Sequence, residues 1–227
     1  MIEAPFQSNK GFALVVLVGL LPILLCLLLI FSVMGRALLS QSRARHTCRT
    51  KTLETQVQVA QLLQQLLSYN DRARRLRLNR RSAQSALALA HLSSPQLVPL
   101  AKANLQRITY QQTLLGSKQR ALIARMDSAW EQGEYRLRTA LRRQNADSLV
   151  IIHPRSAFVP MPPTSLSPSY ALLPGARDLQ RQGAKWKIRI NPLIGGFENF
   201  HLTWPASCAS TIVKEKDKWV PQLIAVK

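Results

Sequence analysis

The chain has 227 residues, 31 Lys or Arg against 11 Asp or Glu, and a formal charge of +20 at pH 7. Once its apolar N-terminal run is set aside, that length holds one extended element and one small domain, and excludes two full globular cores. So basic a balance asks for an acidic partner, which charge alone leaves open among anionic lipid headgroups, nucleic acid and an acidic protein surface.

After a short tail, residues 1–10, the run from Gly11 to Met34 has no charged residue between Lys10 and Arg36. At about 1.5 Å per residue this is long enough to cross a hydrocarbon core of roughly 30 Å. A buried soluble helix of that length keeps a polar stripe, whereas here Ser32 is the only polar side chain. A cleaved signal has an apolar stretch of only about 7–15 residues ending in a small-x-small site, and Met34-Gly35-Arg36 is a poor one. A retained, single transmembrane helix is therefore expected at residues 11–34. Within it Gly19 permits close approach of another helix, and Pro22 removes a backbone donor and loosens the helix locally.

Residues 35–147 read as a helical hairpin. Val59, Leu62, Leu66, Tyr69, Ala73, Leu76, Arg80, Ala83, Leu87 and Ala90 follow a 3-4 spacing, the seam of a helix that packs on a partner. No Pro or Gly occurs between Arg36 and Ser94, so the membrane helix is expected to run on into this seam. Ser94-Pro95 reads as N-cap and first helical residue, placing the turn near 93–95. A second seam follows at Val98, Ala101, Leu105, Ile108, Gln112, Leu115, Gln119, Leu122, Met126 and Trp130, and two such helices fold back antiparallel. Arg80, Gln112, Gln119 and several Ala thin the seams, so the hairpin is expected to lean on the C-terminal segment or a second copy, with Leu62, Leu66 and Leu76 making the contact.

Residues 148–180 hold six prolines, at 154, 160, 162, 163, 168 and 174, and read as a Pro-rich linker or irregular wrap after the β-type run Leu149–Ile152. Residues 181–227 read as a small β-rich segment. Lys185–Ile190 sets Trp186, Ile188 and Ile190 on one face and Lys185, Lys187 and Arg189 on the other. Phe197–Trp204, Thr211–Val213 and Trp219–Val226 are further strand candidates, with Gly195-Gly196 as a turn. The expected fold class is thus mainly α with a small C-terminal antiparallel sheet, whose aromatic residues form its core.

Chemistry-bearing motifs are sparse. His46-Thr47-Cys48 lacks a second pair at metal-site spacing, and His91, His153 and His201 are isolated, so no metal site and no cofactor is expected. Asp127, Glu131 and Glu134 share one side of the second helix and read as an ion-pair face with Arg120, Arg125 or Arg138. With no phosphate-cradling Gly loop and no nucleophile elbow, an enzyme is the weakest reading. Of three cysteines, Cys26 lies in the apolar run, leaving Cys48 and Cys208 as the candidate disulfide, which requires an oxidising compartment.

The densest charge lies at Arg72, Arg74, Arg75, Arg77, Arg80 and Arg81, a candidate anion-binding segment. These arginines wrap around most of the helix and lack stacking aromatics apart from Tyr69, which favours acidic lipid or an acidic partner over nucleic acid.

Lys10-Gly11, Ala13-Leu14 and Leu20-Leu21-Pro22-Ile23-Leu24-Leu25 resemble the N-terminal segment of TadE/TadG-like proteins of tight-adherence (Flp, type IVb) pilus systems. The resemblance covers about thirty residues and implies a pilin-like or pilus-assembly protein anchored in the bacterial inner membrane, with most of the chain in the periplasm. It also implies a prepilin-type processing site at Gly11-Phe12, although Val16 stands where such sites carry Glu. Orientation is where two arguments conflict. The five basic residues Arg36, Arg43, Arg45, Arg49 and Lys51 after the helix, against Lys10 before it, favour a cytoplasmic domain, while the resemblance and the cysteine pair favour the far side. Long segments translocate despite charge, so the outward placement is expected. The functional expectation is a structural or assembly protein that forms homo- or hetero-oligomers with envelope or pilus proteins. Its rival is a cytoplasm-facing adaptor that binds anionic lipid or nucleic acid through Arg72–Arg81.

Overall fold

A computed structural model describes residues 10–144, 146–190, 202–216 and 218–225. Helix α1 spans Lys10–Ser68 and α2 spans Asn70–Ser93; a 3-10 turn, Pro95–Leu97, leads into α3, Val98–Arg142. The apolar helix runs on into the first seam, as expected, and the ladder is interrupted there at a single residue. Tyr69 bonds its N–H to Leu66 O at 3.3 Å, a tightened i→i−3 turn, before the regular ladder resumes with Ala73 N–H to Tyr69 O at 2.9 Å. The chain reverses at Ser94, whose φ of −153° leaves the helical basin and whose side chain makes no capping bond; Pro95 opens the 3-10 turn and Pro99 lies in the first turn of α3. Proline is tolerated there because those N–H groups have no intrahelical acceptor.

Helix α3 runs back along both preceding helices. Ala44 and Cys48 pack near Leu137 and Leu141, then Val59, Leu63 and Leu66 near Leu122, Met126 and Trp130, then Ala73 and Leu76 near Leu115. Residue numbers rise on one side as they fall on the other, so the helices are antiparallel, and one continuous α3 holds α1 and α2 in line. Two glycines of α3 permit close approaches. A Cβ at Gly133 would collide with Thr55 Oγ1, and one at Gly116 would collide with Leu166 O.

Four antiparallel strands form a sheet in the order β1 (Ala146–Ile152), β4 (Gln182–Ile190), β5 (Leu202–Glu215), β6 (Lys218–Ile224). Its inner face buries Trp186 and Ile188 of β4 and Ala206 and Cys208 of β5 against Ala44, Leu137 and Leu141, while Lys185 and Lys187 point outward. This is the alternation expected of a sheet with one wet face. Arg189, Ile190 and Leu202 complete the strand ends, and the Gly195-Gly196 turn, Phe197–His201 and Val226 lie outside the described residues.

The stretch 148–180 is more ordered than a linker. It supplies most of edge strand β1 and a separate antiparallel ribbon, β2 (Phe158–Met161) with β3 (Ser169–Leu172), and ends in one short helix, α4 (Ala176–Leu179). Its prolines are compatible with this because a two-stranded ribbon has outer edges that need no ladder donor. Phe158 and Tyr170 meet edge to face at 5.9 Å and join the Leu63–Met126 cluster.

Candidate interaction surfaces

Four regions bear the residues singled out from the sequence. In the apolar half of α1, every described residue from Leu17 to Phe31 is exposed, with Leu28 at 61% and Phe31 at 68%. The helix is long and apolar enough to cross a membrane, and none of its most apolar window is buried by the rest of the chain. A Cβ at Gly19 would meet nothing within 4 Å, and Pro22 lies inside the helix without ending it. Gly11 and Phe12 fall in the first turn of α1.

Where α1 leaves the apolar run, the sheet is fastened to it. Cys48 on α1 and Cys208 on β5 form a disulfide with Cα atoms 6.2 Å apart, closing a sequence separation of 160. Gln41 Nε2 donates to Pro205 O at 3.4 Å, and Gln56 Nε2 to Gln180 O at 2.9 Å. Strand β5 therefore tracks α1 away from the apolar run, from Pro205 beside Gln41 to Ser210 beside Gln56. Gln56, Gln180, Gln182 and Ser210 are all buried, a polar layer between helix and sheet that apolar periodicity does not signal.

The β2–β3 ribbon clasps the helices around the Tyr69 break. The Asn70 amide pairs with one residue in both directions, Nδ2 to Tyr170 O and Oδ1 from Tyr170 N–H, each at 2.8 Å. Arg77 donates to Ser167 O at 2.6 Å and to Ser169 Oγ at 2.8 Å, and Gln119 Nε2 to Pro168 O at 2.8 Å. Burial, and after it the charges of Arg81 and Arg74, lowers the Arg77 pKa from its ordinary value; a guanidinium nonetheless stays protonated in proteins. Arg80 Nη1 faces Gln112 Oε1 at 3.4 Å across the helix pair, so these two interruptions of the seams answer one another. Of the six clustered arginines, Arg77 and Arg80 are thus engaged within the fold, while Arg72, Arg74, Arg75 and Arg81 are exposed.

Of the seam residues, Leu66 and Leu76 are buried, whereas Leu62 sits half-buried on the rim and Leu63 takes the central place. The 3-4 pattern fits either neighbour equally well, and the sheet, by packing Ile212 into this cluster, selects Leu63. On α3, Glu134 pairs with Arg138 at 2.8 Å and with His153 Nδ1 at 2.9 Å. Partial desolvation, with the nearby Glu131 second, raises the pKa of the exposed Asp127 above its ordinary value.

The exposed arginines lie far from the apolar run. Because α3 holds α1 and α2 in line, Arg72 stands about 57 Å beyond Met34 along the helix axis at about 1.5 Å per residue. A tilt of even about 40° leaves more than about 40 Å, several Debye lengths of about 8 Å. No family model, no curated protein and no solved structure matches the chain, so its functional reading rests on the chemistry of these surfaces.

Proposed function

We propose that this chain is a membrane-anchored structural or assembly protein of the bacterial envelope, of the pilin-like or pilus-assembly kind, that works as a scaffold through helix packing and protein–protein contacts. The observation that carries this reading is the two-part character of α1. Its first half presents bare Leu, Ile and Phe on all sides, and its second half is the spine on which α3 and the sheet are built. Exposed apolar surface on that scale is stable only in lipid or against other apolar helices. A spine continuous with the anchor transmits the anchor's position directly to the folded part. The single-pass protein lies in the inner membrane with its C-terminal region in the periplasm, which the Cys48–Cys208 bond supports because such bonds persist in oxidising compartments. Gly19, around which a Cβ would find open space, is the point of closest approach for another membrane helix. The resemblance to TadE/TadG-like segments supplies the pilus context, including processing at Gly11-Phe12.

The rival reading is a cytoplasm-facing adaptor that binds anionic lipid or nucleic acid through Arg72–Arg81. Distance disfavours its lipid form, because those arginines stand too far from their own bilayer for its surface charge to reach them, and the scarcity of stacking aromatics disfavours its nucleic-acid form.

Thiol accessibility tests the proposal. In spheroplasts carrying a Cys26→Ala variant, a membrane-impermeant maleimide is expected to label Cys48 and Cys208 only after an impermeant reductant is added, with the chain recovered in carbonate-washed membranes. Labelling that needs an opened membrane and no reductant would reverse the orientation, and recovery of the full-length chain in the soluble extract would end the anchor reading.

A further inference from the structure

The outward face of α2 carries a second seam that no other described element buries. Leu78, Ser82, Ser85, Leu89 and Leu92 recur at 4-3-4-3 spacing, opposite the buried residues Ala73, Leu76, Ala83 and Ala90 that face α3. Leu78, Leu89 and Leu92 are 54%, 63% and 86% exposed. A helix with two apolar stripes on opposite sides is built to touch two neighbours, and among the described residues only the side facing α3 is covered. Arginines border the free stripe: Arg74, Arg75 and Arg81 stand four before, three before and three after Leu78, the spacings that are adjacent on a helix surface.

Charge decides what can lie there. Between Asp71 and Asp127 the chain has eleven Lys or Arg and no Asp or Glu. A second copy docking through this region would set arginine against arginine, which disfavours association. Nucleic acid would satisfy the charge but leave the leucines in water. The ligand that satisfies both is a helix with its own apolar stripe flanked by Glu or Asp, whose edge charges pair with the arginines as flanking positions do in a two-stranded coil. We therefore propose that the Leu78–Leu89–Leu92 stripe, edged by Arg74, Arg75 and Arg81, is the docking seam for an acidic amphipathic helix of a different protein, held about 65–90 Å beyond Met34 along the helix axis. This inference rests on the anchored-scaffold reading and names the kind of partner that the scaffold presents to.

The test uses the full chain in nanodiscs and fluorescence anisotropy with three labelled probes: a helical peptide with leucine at heptad a and d positions and glutamate at their flanks, the same peptide with Gln for Glu, and an oligothymidylate. The Glu peptide is expected to bind, and to weaken about tenfold or more in Leu78→Ser/Leu89→Ser and in Arg74→Gln/Arg75→Gln/Arg81→Gln. The Gln peptide is expected to bind at least about tenfold more weakly. These substitutions fall at exposed positions, and an unchanged circular dichroism melt verifies the fold. Equal binding of the Glu peptide to wild type and the Ser variant would overturn the proposal. So would oligothymidylate binding that ignores the leucines, or sedimentation showing self-association lost in the Ser variant. A chain that never enters the nanodisc would instead refute the anchor, a failure separable from that of the seam.

Discussion

The two ends of the helical pair are built to different standards. Nearest the apolar run, Trp186, Leu63, Leu66, Met126, Leu137, Leu141, Ile188 and Ile212 are all fully or almost fully buried, and the sheet, the disulfide and the Gln56 layer hold the helices from a third side. From the ribbon outward, α2 and the start of α3 pack, among the described residues, on each other, through Ala73, Leu76, Ala83, Ala90 and Leu115 with the Arg80–Gln112 pair between. Each Ala in place of a large apolar residue forgoes roughly 1.5–3 kcal/mol of burial. A single helix pair thus contains a rigid base and an arm of low intrinsic stability, with the Asn70–Tyr170 and Arg77–Ser167 bonds marking the border. Low local stability is what a surface that orders on a partner requires.

The largest way to break this contrast is at the base. Cys48→Ser/Cys208→Ser is expected to cost about 2–5 kcal/mol, because the bond closes a separation of 160 residues. Hydrogen exchange should quicken in β4, β5 and α1 beyond Ser40 while exchange in α2 stays as in the parent chain; a uniform rise along both halves would show that base and arm unfold as one unit. Next comes a pair of glycines. Gly133→Ala drives a methyl group into Thr55 and is expected to cost about 1–3 kcal/mol in a thermal melt. Gly19→Ala meets open space within the chain, so it should leave the melt unchanged and weaken crosslinking between membrane helices.

A smaller effect sharpens the contrast from the other side. Arg80→Leu with Gln112→Leu replaces a polar pair in the arm's seam by apolar contact and is expected to stabilise the arm by about 1 kcal/mol, read as slower exchange in α2 with the base unaltered. The smallest involves Asp127. Partial desolvation and the nearby Glu131 raise its folded pKa above the unfolded value, so its charge, though screened by solvent at this exposed position, opposes folding at neutral pH, and that small penalty is relieved as pH falls through the folded pKa toward the unfolded one. Asp127→Asn should therefore raise the melting temperature slightly at pH 7 and leave it unchanged below about pH 3, under the usual Asp range; an equal gain at both pH values would remove the electrostatic cause.

What was legible in the sequence is what depends on neighbours in the chain. An uncharged apolar run, a 3-4 repeat on either side of Ser94-Pro95 and the alternation in Lys185–Ile190 each declare an element by themselves, because helix and strand faces follow from local geometry. Those features are enough for a mainly helical chain with a small antiparallel sheet and a helix fit to cross a membrane. Tyr69 shows the limit: no breaker residue marks it, and the ribbon that clasps Asn70 comes from a hundred residues further on. The choice of Leu63 over Leu62, the engagement of Arg77 and Arg80 within the fold, the recruitment of a Pro-rich stretch into β1 and the ribbon, and the seating of Cys208 beside Cys48 were all decided by tertiary structure. Each depends on which distant surface arrives to bury a group, and no local period encodes that arrival.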